Sequence, residues 1–259
     1  MPAAPARRRW ELLLAVALVC ELSVAGTAAV RLDRPHACSV VSHSSTRLAR
    51  DVDAACESAV PLVTSVWGRD WAQTVQVVIP RNAQELEQQV LGGGDLQEVA
   101  AVVDEHKRVV INPDAFGKLS PTGRRVVLAH EVAHLASDAV RRPVPTWLAE
   151  GFADYIGFLH AGLPVTRAAA ELALAVQSGD LPNALPSDGQ FDGPDLPSLY
   201  QQSWLAAALL ARLKGQAALV RLYRAVRAGA SVDAALRREG LTTSAFTRSW
   251  RADLRRQLG

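Results

Sequence analysis

Residues 125–136 are apolar except for Arg125 and three further side chains, His130, Glu131 and His134. A stretch of this kind reads as a helix buried on most sides. At about 100° per residue, the three polar side chains fall within about 100° of one helix face. His130 and His134 are one turn apart, so their rings can converge on one ion. Glu131 stands beside them and can reach a water on that ion. Burying three polar side chains on an apolar helix is costly unless something satisfies them, and a metal ion does so.

The spacing is HExxH, the pattern of zinc proteases, with two histidine ligands and a glutamate base. Catalytic zinc sites use three protein ligands and keep one position open for water. The best third ligand is Glu150, in the run Trp147-Leu148-Ala149-Glu150-Gly151-Phe152-Ala153-Asp154-Tyr155. Pro143 and Pro145 end the first helix, and Thr146 is expected to cap a second. A tight reversal between them returns Glu150 over the His130/His134 face. Asp154, one turn beyond, can accept the other N–H of a ligand histidine. Asp138, one turn after His134, is the rival carboxylate, placed at the helix end.

HExxH followed by a helix carrying W-L-x-E-G-x-A-x-Y resembles the gluzincins. It is most similar to the peptidase MA-like branch of bacterial metallopeptidases and more distantly to the M1 aminopeptidases. The resemblance covers residues 98–210. It implies a zincin-like fold with Zn²⁺ as cofactor, Glu150 as third ligand, and a downstream tyrosine that stabilises the oxyanion where a helix opens after a loop. Tyr200 matches that layout. The resemblance also implies a sheet whose edge strand, here residues 98–103, binds a peptide or protein substrate by main-chain pairing. The exopeptidase motif G-A-M-E-N is absent, and the separation from His134 to Glu150 is shorter than in the M1 enzymes.

The chain has 259 residues, 49% hydrophobic and 21% charged, as expected of a globular protein with a sizeable core. No basic stripe with interleaved aromatics marks a nucleic-acid partner. The arginines near the C-terminus read as solvated helix faces. At the N-terminus, Arg7-Arg8-Arg9, an apolar run from Leu12 to Cys20 and small residues up to Ala29 form a signal peptide or a signal-anchor over residues 1–29. Membrane anchoring through residues 12–30 is the alternative to cleavage. Either reading puts the rest outside the cytoplasm, secreted or held at the outer face of the membrane. Cys38 and Cys56 are then an even pair in an oxidising compartment, and a disulfide is expected.

The expected fold class is α+β. Residues 30–45 read as irregular. Residues 46–259 read as one unit, with an α/β front half to 139 and a helical back half from 140. Helix is expected over 46–67 despite Pro61, strand over 74–79, a short helix capped by Asn82, and a hairpin of strands 98–103 and 107–112. Gly92-Gly93-Gly94 breaks the chain before it. Ser120-Pro121 starts the HExxH helix. Further helices follow over 165–177, 200–213, 216–228, 231–239 and 243–258, with a loop over 179–198 and with Ser231 and Thr243 as caps. Two rival functions remain: a zinc-binding module that cuts nothing, and a membrane-anchored interaction domain.

Overall fold

The computed structural model describes residues 36–89, 96–139 and 144–259. The signal or anchor segment and Gly92–Gly94 lie outside the described residues. Those described form a mixed α+β structure with one small sheet and a predominantly helical remainder.

The sheet holds β1 (Cys38–Ser42), β2 (Val75–Ile79), β3 (Ala101–Val103) and β4 (Val109–Ile111), in the order β1-β2-β4-β3. β1, β2 and β4 run parallel, and β3 turns back antiparallel on β4. Strand β1 corrects the expectation of an irregular segment over 30–45. It pairs Cys38 with Val75 and Ser42 with Ile79. That register is made wholly with a strand distant in the chain, so the local sequence carries little of it. The expected hairpin is present but shorter than read, and β3 is an edge of the sheet.

Side chains alternate across the sheet. Val75, Val77 and Ile79 of β2 are buried on the inner face, with Gln76 exposed between them. The inner face rests on α1 (Thr46–Trp67) and on α4 (Pro121–Ser137), the HExxH helix. On the outer face, Val102 and Val110 form a second small cluster with Leu86, Leu96, Val99 and Tyr200.

α1 begins at Ser45, whose hydroxyl accepts from the Leu48 N–H, and runs unbroken through Pro61. The Cys38–Cys56 disulfide ties β1 to it, with Cα atoms 6.1 Å apart. α2 (Ala83–Gln89) follows Asn82, whose side chain accepts from Glu85 N–H. α3 (Pro113–Lys118) is capped by Asn112. α4 starts at Ser120, which accepts from Gly123 N–H, with proline in its first turn. It lies between the sheet, α1 and α5 (Thr146–Phe158), which explains why it is apolar on nearly all sides.

α5 in turn lies between α4 and α8 (Leu196–Lys214). Two glycines permit this. A Cβ on Gly151 would stand 2.3 Å from the Ser203 carbonyl oxygen of α8, and one on Gly157 would stand 2.9 Å from the Val126 carbonyl oxygen of α4. Neither space admits a methyl group. The cap of α5 differs from expectation: Pro145 holds the N-cap position and Thr146 is already helical, its N–H bound by the Asp188 carboxylate at 2.7 Å.

The expected helix over 165–177 is broken at Ala169 into α6 (Val165–Ala168) and α7 (Ala170–Gln177). The expected loop over 179–198 contains a 3-10 turn at Asp188–Asp192, and α8 begins within its last residues. α9 (Gln216–Arg227), α10 (Val232–Arg238) and α11 (Thr243–Leu258) complete the chain. Ser231 caps α10 as expected, whereas α11 is capped by Thr242 rather than Thr243. One continuous apolar core runs from Cys38 to Leu258 and joins the front and back halves.

Candidate metal centre

α4 and α5 meet as the reversal required. His130 Nε2 lies 2.9 Å from His134 Nε2, His134 Nε2 lies 3.2 Å from Glu150 Oε2, and His130 Nε2 lies 3.3 Å from the same oxygen. The three residues are buried, with His134 the most exposed at 4%. Three donor atoms at the corners of so small a triangle can hold one metal ion. Asp138, the rival ligand, instead ends α4 in the left-handed conformation and pairs with Lys107 Nζ at 2.8 Å.

The other nitrogen of His130 is fixed from behind. Its Nδ1 lies 2.7 Å from Asp154 Oδ1, one turn along α5 from Glu150. A carboxylate there holds the proton on Nδ1, so that the neutral ring presents its Nε2 lone pair to the triangle. Glu131 is fully buried, and neither of its carboxylate oxygens has a hydrogen-bond partner in the protein. A buried orphaned carboxylate is costly, so its place beside three convergent donors fits a site that receives a cation and its water.

The electrostatics agree. Burial pushes the Glu131 carboxyl up to about 8, with Glu150 and Asp154 adding to the rise and His130 opposing it. Burial also raises Glu150, but the His134 and His130 rings outweigh it and bring the carboxyl down to about 2. Burial raises Asp154, partly offset by His130. Burial would lower His130, yet Asp154, Glu150 and Glu131 together hold it well above its ordinary 6.5.

Sequence reasoning did not find the residues that hold the end of α4. Ser137 donates to the His134 carbonyl at 3.4 Å, Tyr223 donates to the Ser137 hydroxyl at 3.2 Å, and Arg227 donates to the Ser137 carbonyl at 3.0 Å. The Arg227 guanidinium lies over the Trp67 ring, 5.3 Å from its centroid. A cation at a helix C-terminus is favourable, but no spacing in the sequence ties residue 227 to residue 137. In the sequence Gly151 reads only as part of the motif, while its role is the contact with Ser203.

Tyr200 sits one turn into α8, not at its opening, and its ring is buried against Val102 of the edge strand and edge-on to Phe191 at 5.8 Å. It precedes by one turn the Ser203 carbonyl that faces Gly151, so its backbone lies near the Glu150 segment. The structure also brings together His36, Asp53 and Glu57, which no spacing predicts. His36 is largely exposed, and Glu57 is already engaged by the Cys38 N–H at 3.0 Å, so this group lacks the buried convergence of the first.

Compared with known protein families and with curated proteins, the chain matches no family model and no individual protein. The gluzincin resemblance over residues 98–210 therefore rests on the sequence pattern alone.

Proposed function

We propose that this chain is an extracytoplasmic zinc metallopeptidase of the gluzincin type. The observation that carries the reading is the triangle of His130 Nε2, His134 Nε2 and Glu150 Oε2, with sides of 2.9–3.3 Å. Zinc bonds of about 2.0–2.1 Å at tetrahedral angles need donors about 3.3–3.4 Å apart, so a few tenths of an ångström of opening suffice. Two imidazoles and one carboxylate are a donor set typical of catalytic zinc.

When bound there, zinc acidifies a water and polarises the scissile carbonyl. Glu131 is the general base: it takes a proton from water and delivers it to the leaving amine. A nearby dication favours its ionised form, which offsets the rise imposed by burial. Asp154 orients His130 through Nδ1. Tyr200 is the candidate donor to the oxyanion by the resemblance alone, its ring lying in the cluster with Val102 and Val110. β3, an edge strand that packs against α4, supplies main-chain groups to an extended peptide. The Cys38–Cys56 disulfide is compatible with an extracytoplasmic location. Among the described residues no helix is long and apolar enough to cross a membrane.

The test is hydrolysis of an unstructured protein such as casein by zinc-loaded chain and by Glu131→Gln. The expected result is turnover by the first and a loss of at least about 100-fold in the second, with zinc retained. Full activity in the variant would remove Glu131 from the mechanism. Stoichiometric zinc without hydrolysis of any peptide would leave the zinc-binding module in its place.

A further inference from the structure

The charge of the chain is unevenly divided. Residues 200–259 contain eleven Lys and Arg against three Asp and Glu, although the whole chain has a net charge of only +2. The three acids do not neutralise the surface. Asp253 is buried and is contacted by Arg212 at 2.5 Å and by Arg256, which are themselves 45% and 70% exposed. Glu239 is held by Arg221 at 2.6 Å, with the arginine 60% exposed and the glutamate only 11%. Asp253 and Glu239 are thus sunk beneath the cations that they position, while the third acid, Asp233, is 45% exposed and pairs with Arg237.

These contacts converge on the C-terminal end of α8. Arg212 and Lys214 are in its last turn. Arg212 reaches α11 through Asp253, and Lys214 Nζ lies 3.6 Å from where a Cβ on Gly240 would stand, next to Glu239 and therefore to Arg221. Between the two cations of α8 stands Leu213, 48% exposed and one of three large apolar side chains exposed among the described residues. Arginines held by two largely buried carboxylates, with an exposed leucine between Arg212 and Lys214 on the same helix end, have two complementary requirements: an array of negative charge and an apolar phase just beneath it.

From this surface we infer that the C-terminal end of α8, with Arg221 and Arg256, docks on a bilayer rich in anionic lipid. A phosphate-bearing headgroup layer supplies the charge, and the acyl boundary accepts Leu213. Nucleic acid meets the first requirement but offers Leu213 nothing, and among the described residues no exposed aromatic interleaves these cations for base stacking. The inference goes beyond the metal chemistry and holds whether or not the chain is a peptidase.

The experiment is co-sedimentation of the full chain with vesicles of 30% phosphatidylglycerol in phosphatidylcholine, and with phosphatidylcholine alone. It compares wild type with Lys214→Gln/Arg256→Gln and with Leu213→Ser. Both variants keep Arg212 and Arg221 on their buried carboxylates, and thermal unfolding verifies that they fold. Because every chain carries the same N-terminal segment, differences report the patch. The double variant is expected to lose about thirtyfold in partitioning onto the anionic vesicles, from about fivefold per cation near the surface. The loss should shrink in high salt, and Leu213→Ser should weaken binding in both salts. Equal partitioning of wild type and folded double variant would overturn the inference. So would binding of duplex DNA that is tighter than binding to the anionic vesicles and is lost in the same variant.

Discussion

Asp154 Oδ1 stands 2.7 Å from His130 Nδ1, and this one contact decides which nitrogen of His130 faces Glu150. Both groups are buried, so no water competes for the proton between them. Asp154→Asn keeps the volume but removes the charge that makes His130 a strong ligand. Metal affinity is expected to fall about 10- to 100-fold, read by competition with a chromophoric chelator, while the far-ultraviolet spectrum stays unchanged. An unaltered affinity would deny Asp154 its orienting role.

Gly151 and Gly117 make a matched pair. A Cβ on Gly151 meets the Ser203 carbonyl oxygen at 2.3 Å, whereas one on Gly117 meets nothing within 4 Å. Gly151→Ala should force α5 and α8 apart and cost about 1–3 kcal/mol or more, and should weaken metal binding because Glu150 is the adjacent residue. Gly117→Ala, within a helix, should be neutral or stabilising by up to about 1 kcal/mol. Denaturant melts of the two variants distinguish them, and equal stabilities would contradict the close packing.

Metal binding should depend on pH in a definite direction. In the metal-free protein, Asp154, Glu150 and Glu131 overcome burial and hold the His130 pKa well above 6.5. An ion must displace that proton. Affinity therefore rises as pH rises, and keeps rising past neutrality until His130 of the free protein is deprotonated. Glu150, brought down to about 2, is already ionised and adds no dependence in this range, whereas Glu131, pushed by burial up to about 8, gives up its proton beside a cation and adds to the rise. Calorimetry in buffers of different ionisation enthalpy should detect proton release at pH 7. No release would contradict the charged His130.

The disulfide closes a loop between residues 18 apart in sequence, for which chain entropy gives about 3 kcal/mol. Cys38→Ser/Cys56→Ser should lose about that much in a denaturant melt, with β1 the element most affected, because it is an edge strand that the disulfide ties to α1. A variant as stable as the wild type would mean that the pairing with β2 alone secures β1.

The parts of this protein that were legible in its sequence are those written in local spacing. Helical period placed His130, Glu131 and His134 on one face, the prolines after α4 announced the reversal, and the next helix put Glu150 and Asp154 one turn apart. A β-branched run ended by Pro80 marked β2, and two cysteines marked the disulfide. What stayed hidden depends on contacts between distant segments. β1 is a strand only because β2 pairs with it. Gly151 matters only because the Ser203 carbonyl passes over it. The supports of Ser137 arrive from α9, some ninety residues away. The caps show a smaller failure of the same kind, since Thr146 gave up the N-cap position when Asp188 came in to bind its N–H.

The most direct test of the central claim is the metal content of the purified chain by elemental analysis, beside Glu150→Ala. The account predicts one zinc per chain in the wild type and its loss in the variant, because Glu150 Oε2 is one of only three donors in the buried triangle. A wild-type chain that takes up no stoichiometric metal after reconstitution, or a Glu150→Ala chain that binds it undiminished, would contradict the account.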